Sequence, residues 1–442
     1  MTETTTVAAE RGPMAPPTFG EALQEWTRIG LLSFGGPTAQ IALMHKVIVD
    51  ERKWLTESQF LNALSFCMLL PGPEAMQLAT YAGWRLHGLK GGLAAGLLFV
   101  LPGAFVVLAL AAIYAVFGNV TFIEAIFFGI KAAVLVIVVE ALLRIAKRAL
   151  RGPVHWLIAA VSFVAIFAFD LPFPLIILAA AAIGFLLANT KPASAQQVAA
   201  SAITVSFGQT LTTILVWLVI WIVPLAAVAA VFGRDHVLSQ LGLFFSKLAV
   251  VTFGGAYAVL AYMTQTVVTT YGWLDAGQML DGLGLAETTP GPLILVTEFV
   301  GFLAAFKHGG GPPLLMGLLG ACVALWATFT PCFLWIFAGA PYIEWLNTQP
   351  RLKEALSAIT AAVVGVILNL AVWFALHVFF AKVAVVQNGP LKLWVPDVST
   401  LDWRVVVLAI ISGVLLLRLH WGIPAVLGVA SGLALAIRYA GI

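Results

Sequence analysis

Apolar residues gather into long runs separated by short polar breaks. The runs fall at roughly 21–45, 60–86, 91–117, 122–148, 153–169, 172–189, 208–232, 239–265, 278–306, 314–340, 354–382, 404–419 and 421–440. Most can cross a bilayer as helices, for which about 20 residues are needed; those at 153–169, 172–189 and 404–419 are short for it. In lipid the backbone must satisfy its own polar groups, which leaves helices or closed barrels, and the alternation of a barrel is absent. The pattern therefore predicts an all-α polytopic membrane protein with about 13 transmembrane segments. Residues 1–19 are polar, lack the apolar stretch of a signal peptide, and are expected to form a disordered tail.

Two runs are interrupted. Gly35, Gly36 and Pro37 stand inside the first, and Pro71, Gly72 and Pro73 inside the second. Proline removes a backbone donor and clashes with the preceding turn, and glycine loosens the helix further, so both helices are expected to be broken at these GGP and PGP motifs. The interruption recurs. Shifting the chain by 219 positions lays Phe34–Gly36 on Phe253–Gly255, Trp54–Leu55 on Trp273–Leu274, Gln59 on Gln278, and Pro71–Pro73 on Pro290–Pro292. Fifteen of 40 positions are identical without a gap, where chance in apolar sequence gives roughly a tenth, so the chain is duplicated. Beyond Lys307–Met316 the offset becomes 229 and pairs Ile130–Val134 with Ile359–Val363. The expected domains are a first repeat at 20–190, a linker with a central transmembrane helix at 191–237, and a second repeat at 238–442. Six segments in each half with one between them put the halves in inverted topology, the plan of secondary transporters. The basic cluster Arg144–Arg151 favours a cytoplasmic N-terminus.

Composition sharpens the class. The chain is 61% hydrophobic and 10% charged, where soluble proteins are about 25% charged. A net charge of +3, with no basic run carrying interleaved aromatics, gives no reason to invoke nucleic acid. Cys67, Cys322 and Cys332 lie in apolar runs without a CxxC pair and read as buried apolar residues. Seven scattered histidines show no metal-ligand spacing. No metal and no cofactor is expected. The sequence has no GxSxG, HExxH or Walker A motif, which argues against an enzyme and against an ATP-driven pump.

Broken helices have a use. A helix that starts inside a membrane presents unpaired N–H groups and the positive end of its dipole, an anion site tolerated only where it lines a cavity. Candidate substrate-binding residues are Ser33, Gly35, Gly36, Thr38, Pro71, Gly72 and Pro73 in the first half. In the second they are Thr252, Gly254, Gly255, Thr288, Thr289, Pro290, Gly291 and Pro292. The glycines admit close approach and the hydroxyls add donors. This set suits a small tetrahedral oxyanion. A carboxylate beside such a site repels a dianion unless protonated, so Glu74, Glu287 and Glu298 are candidates for proton coupling. Their alternative is charge pairing, with Arg85, Lys46 or Lys131 as partners, and Arg85 can equally snorkel to the interface.

The stretches Leu31–Phe60 and Leu69–Gly92, and in the second half Phe253–Met263 and Leu285–Phe302, resemble the chromate ion transporter family in its long two-domain form. The resemblance implies export of chromate across the bacterial inner membrane and chromate resistance, with sulfate-like anions also handled. Expected partners are then chromate, sulfate as a competing anion, protons and the bilayer; a homodimer is left open. The alternatives are a sulfate or other tetrahedral oxyanion transporter working by uptake or exchange, a channel, and a membrane-embedded enzyme or assembly subunit.

Overall fold

The computed structural model describes residues 17–118, 120–188, 207–251, 253, 256–343, 346 and 349–440. Thr18 opens α1 (Phe19–Leu32) with a capping box to Glu21, so the first helix begins at the edge of the expected tail. The chain turns through Gly35 into α2 (Gly36–His45), which widens into a π-helical turn over Lys46–Glu51. A second capping box, Thr56 with Gln59, starts α3 (Glu57–Cys67). After Pro71–Pro73 comes α4 (Glu74–Phe117), which bends sharply where His87 and Gly88 leave helical geometry. Then follow α5 (Thr121–Ala149), α6 (Pro153–Phe167) and α7 (Phe173–Leu187), the last two opened by proline in the first turn, where its missing N–H costs nothing. The helix α8 (Phe207–Phe232) stands between the two sequence repeats.

The second half runs through the same order. It comprises α9 (Val237–Val251), α10 (Ala256–Gln265) with a π-helical turn at Thr266–Thr270, and α11 (Ala276–Thr288) capped by Asp275 with Gln278. A 3-10 turn at Leu293–Leu295 leads into α12 (Val296–His308), followed by α13 (Pro313–Gly339) and α14 (Pro350–Phe379). Last come α15 (Trp403–Gly413), a π-helical turn at Val414–Arg418, and α16 (Ile423–Tyr439).

The duplication reaches the backbone detail. Capping boxes at Thr56 and Asp275 stand 219 residues apart, and the π-helical turns after α2 and α10 match within one residue of that offset. Left-handed backbone recurs at Lys53 and Gly272 (φ 53° and 62°) and at Gly72 and Gly291 (φ 118° and 91°). Helices α5 and α14 start 229 apart, and α6 and α7 start 250 residues before α15 and α16. Asp170 and His420, both left-handed, keep the offset of 250.

The added residues form a β-hairpin that an all-α reading does not contain. Strands β1 (Val383–Asn388) and β2 (Leu391–Pro396) pair antiparallel, with Val385 opposite Trp394. Gly389 at φ 59°, followed by Pro390, makes the two-residue turn that suits such a pair. Its far strand is tied to the first half: Lys392 N–H donates to Ala168 O and its Nζ to Asp170 Oδ2, both at 2.8 Å.

Among the described residues, five helices are long and apolar enough to span a membrane: α4, α5, α8, α13 with its short extension to Tyr342, and α14. Four shorter apolar helices, α6, α7, α9 and α16, accompany them. The chain is a multi-pass helical membrane protein. Its core lies in α12, α13 and α14 with the first part of α4, where α12 packs on α13, and α14 on α6 and α7. Helix α8 turns most of its apolar side chains outward, among them Leu215, Val219 and Val223. Cys67 and Cys332 are buried as expected, but Cys322 is exposed on α13, because its face of that helix points away from the core. Trp273 is buried and stacks on Tyr271 with ring centres 4.1 Å apart.

Candidate functional site

Helix α11 stops at Thr288 and the chain resumes helical geometry at Leu293. Between them Pro290–Pro292 cross to the first half. Gly291 N–H donates to Ser33 O at 2.8 Å, and Gly291 O accepts from Gln40 Nε2 at 2.6 Å. The fit is tight: a Cβ on Gly291 would lie 3.4 Å from the Gly103 Cα and 3.6 Å from Phe99 O, both on α4. A Cβ on Gly103 would in turn lie 2.1 Å from Pro290 O, so no side chain is tolerated there.

The first interruption makes the reciprocal contact. Helix α3 stops at Cys67 and α4 starts at Glu74. A Cβ on Gly72 would meet Cys332 Sγ of α13 at 3.0 Å and Gln77 Nε2 at 2.9 Å. Cys332 is the 229-offset equivalent of Gly103, so each Pro-Gly-Pro leans on the same place in the opposite half. Gly72 and Pro73 share one small cavity with Leu248, Val259, Ile294 and Thr328. Ile294 belongs to the helix start after the second interruption, so both interruptions line that cavity. Its volume is about 10 Å³, room for one water at most. No tetrahedral oxyanion fits in this conformation.

Both helix starts lack a side-chain cap. The first backbone bond of α4 runs from Gln77 N–H to Pro73 O, which leaves the N–H groups of Glu74, Ala75 and Met76 ahead of it. In the second half Leu295 N–H bonds Pro292 O, and the N–H groups of Leu293 and Ile294 lie ahead. Ala75, Met76, Leu293 and Ile294 are all buried. Two glutamines brace the loops, Gln40 as described and Gln77 by donating to Pro71 O at 2.7 Å. The Oε1 atoms of both are buried without a hydrogen-bond partner among the described residues.

The remaining candidates are distributed as follows. Ser33 is buried, and its Oγ donates to Ile29 O at 2.6 Å. Thr288 and Thr289 donate to Leu285 O and Ala286 O at 2.9 and 3.3 Å. These hydroxyls are occupied by their own helix, so in this conformation they offer lone pairs rather than protons. Gly35 and Gly36 are half-buried and Thr38 is exposed. Thr252, Gly254 and Gly255 lie outside the described residues. Glu74 is half-buried at the first residue of α4, where the helix dipole favours a carboxylate.

The charge pairing expected for the buried carboxylates is not the one found. Glu287 accepts from the Tyr257 hydroxyl at 2.8 Å, and its second oxygen has no partner among the described residues. Glu298 is fully buried with neither oxygen bonded among them. Of the cations expected to answer them, Lys46 lies 3.9 Å from Glu51, Lys131 lies 3.5 Å from Asp281, and Arg85 is exposed. Lys46 and Lys131 answer other carboxylates and Arg85 faces outward, while the two glutamates sit in the core.

Gln40, Gln77 and Tyr257 escaped the sequence reading. Each carried a signal: a polar or phenolic side chain within an apolar run, four residues past Gly36, four past Pro73, and at the position equivalent to Thr38.

Both halves of the chain match one known family. The family described as chromate transporter matches twice, at residues 20–185 and 239–436, which covers both halves. A chromate transport protein of Pseudomonas aeruginosa is 33% identical over 358 residues, covering 80% of each chain. One from Cupriavidus metallidurans is 31% identical over 354 residues, 79% of this chain and 81% of its own. An uncharacterised transporter of Methanocaldococcus jannaschii is 28% identical over 364 residues, covering 79% of this chain and 83% of its own. No solved structure matches.

Proposed function

The chain belongs to the chromate transporter family, and from that premise we propose that it is a secondary carrier exporting chromate from the cytoplasm across the bacterial inner membrane, driven by the proton motive force and conferring chromate resistance. The observation that carries the reading is the shared placement of two uncapped helix starts. Each follows a Pro-Gly-Pro, each packs into the opposite half, and both reach one cavity. Their N–H groups, with Gly72, Gly291, Ser33, Thr288 and Thr289 around them, form an anion site that needs no full positive charge. Gly35, Gly36 and Thr38 stand at the other interruption of the first half and belong to the proposed site, with Thr252, Gly254 and Gly255 as their sequence counterparts outside the described residues.

In this reading about 13 segments form two halves of inverted topology around the linker helix α8. The closed cavity then belongs to an occluded conformation. Parting of the halves along the Gly291–Ser33 and Gly72–Cys332 contacts opens the site to one side at a time. Export of a dianion is favoured by the membrane potential alone, by about 4.6 kcal/mol at 100 mV negative inside. A proton gradient adds to this only if a carboxyl group changes protonation during the cycle. Glu74 opens α4, Glu287 lies in the last turn of α11 and Glu298 in the first turn of α12, on the elements that flank the helix starts, where each repels a dianion unless it is protonated.

The test is labelled chromate accumulation in everted membrane vesicles with the potential clamped, with and without a pH gradient. Saturable accumulation that follows the gradient supports the reading, and excess sulfate shows how far the two anions compete. Accumulation of sulfate but not chromate would transfer the reading to a sulfate or other oxyanion carrier. Flux of either anion without saturation would make the protein a channel.

A further inference from the structure

A second cavity, of about 410 Å³, opens where α4 and α16 end and α5, α11 and α15 begin. It is far larger than the closed one between the two interruptions. Lys131 and Asp281 line it, and they form an ion pair at 3.5 Å. Asp281 is 3% exposed although its cavity is wide, and Lys131 is partly exposed. Tyr114, also on the wall, donates its hydroxyl to Asp281 Oδ2 at 2.7 Å. Asp281 Oδ1 is buried and has no hydrogen-bond partner among the described residues. A carboxylate bound on one oxygen only, at the inner wall of a roomy polar cavity, is half prepared for a proton.

Around it, α5 contributes Lys131 and, further out, Glu124; α4 contributes Tyr114; and its own N-terminal cap contributes Asp275. Arg404 of α15 and Arg438 of α16 line the outer wall, facing Asp402 at 2.8 Å and Glu124 at 3.7 Å. Lys307 of α12 holds Gln278, one turn before Asp281. Lys131 and Asp275 are the charged groups that act directly on Asp281, and none from α12 or α14 does so among the described residues.

The duplicated frame does not supply this pair: by the repeat, Asp281, Lys131 and Arg404 correspond to the uncharged Asn62, Thr360 and Val154. Asp281 also lies on α11, whose C-terminus runs straight into the second Pro-Gly-Pro. A change in the Asp281–Lys131 pair therefore acts on the element that carries half of the anion site.

We propose that Asp281 is the carboxyl group that takes up the coupling proton from water in this cavity, with Lys131 as its counter-charge and Tyr114 holding it in place. The step is an O–H bond formed from a water-borne proton on one side and broken in the other conformation; nothing else is exchanged. Protonation cancels the attraction for Lys131 and frees α11 to move with its loop. The inference rests on the proton-coupled reading above.

The experiment uses the full chain in proteoliposomes with labelled chromate, comparing exchange of internal for external chromate with accumulation under a pH gradient at clamped potential. One pH unit is worth about tenfold in accumulation for each proton coupled. Asp281→Asn is expected to lose that whole factor, so that the internal and external concentrations become equal, while exchange stays within about twofold of the unmodified protein. Asp281→Glu is expected to keep accumulation but with a displaced pH profile. Lys131→Gln is expected to weaken accumulation and displace the same profile. Accumulation by Asp281→Asn equal to that of the unmodified protein overturns the inference. So does loss of exchange in all three variants, which would mark the pair as structural. If the unmodified protein exchanges chromate but ignores the pH gradient, the proton-coupled reading itself fails, and the inference with it.

Discussion

The two halves of this transporter share a frame and differ in chemistry. Helix interruptions, capping boxes, π-helical turns and left-handed residues recur at fixed offsets. The ionisable groups do not. Glu287, Glu298 and Asp281 of the second half correspond to Met68, Ala79 and Asn62 of the first, whereas Gln40 of the first corresponds to Val259. In the proposed mechanism the duplicated frame supplies two equivalent helix ends for one anion, and the charges placed in one half alone serve a task performed once per cycle, the carrying of a proton.

The comparison breaks most decisively at the glycines of the interruptions. Gly72 and Gly291 both hold left-handed backbone and touch the opposite half within van der Waals distance. Gly72→Leu and Gly291→Leu should each abolish chromate transport in vesicles, although each alters one half. A variant with normal uptake at either position would sever that half from the site. A smaller and unequal effect is expected at the next pair. Gln40→Ala leaves the buried Gly291 carbonyl without its donor, a loss of about 1–3 kcal/mol that should appear as a transport rate lower by about tenfold or more. Val259→Ala, at the equivalent position, should change the rate by less than about threefold, since no polar group is orphaned.

Matching effects on stability are expected at the two equivalent capping boxes, although Asp275 also acts on Asp281. Thr56→Ala and Asp275→Ala each remove a capping box, and each should lower stability by about 1 kcal/mol, read as matching shifts in thermal unfolding in detergent. The smallest effect lies at the cavity rim. Hydrogen bonds from Arg404 hold Asp402 below the usual carboxylate range. Because the folded-state value is the lower one, the pair's contribution is fully present above the unfolded value of about 4 and is lost as pH falls through the lower folded-state value. Solvent screening limits it to about 0.5 kcal/mol. Asp402→Asn should cost that much at neutral pH and nothing in strong acid, and Gly152 at the equivalent place offers no such pair.

How much of this could be read from sequence follows from what each feature depends on. The helix ends at Pro71–Pro73 and Pro290–Pro292 were legible because proline and glycine act on their own backbone, whatever surrounds them. The hairpin was legible too, in the valine-rich run Val383–Val386 and the turn residues Gly389–Pro390, but a strand pattern is easily passed over in a chain read as membrane helices. Partners across the fold were not legible. Tyr257 and Glu287 lie 30 residues apart on different helices and meet only in the fold, so the glutamate seemed to need a cation. Asp281 drew no notice because its meaning lies in Lys131 and Tyr114, on α5 and α4. The hydroxyls of Ser33, Thr288 and Thr289 were recognised by type, but only the structure shows them bonded back to their own helices.

The central claim is that the two interruptions build one anion site. It is tested most directly by the stoichiometry of labelled chromate bound to the purified protein in detergent, for the unmodified chain, Gly72→Leu, Gly291→Leu and the two combined. A single shared site predicts one chromate per chain, and no binding in either single variant or in the combined one. Two chromates per chain, reduced to one by each single variant and to none by both together, would show two separate sites and contradict the account.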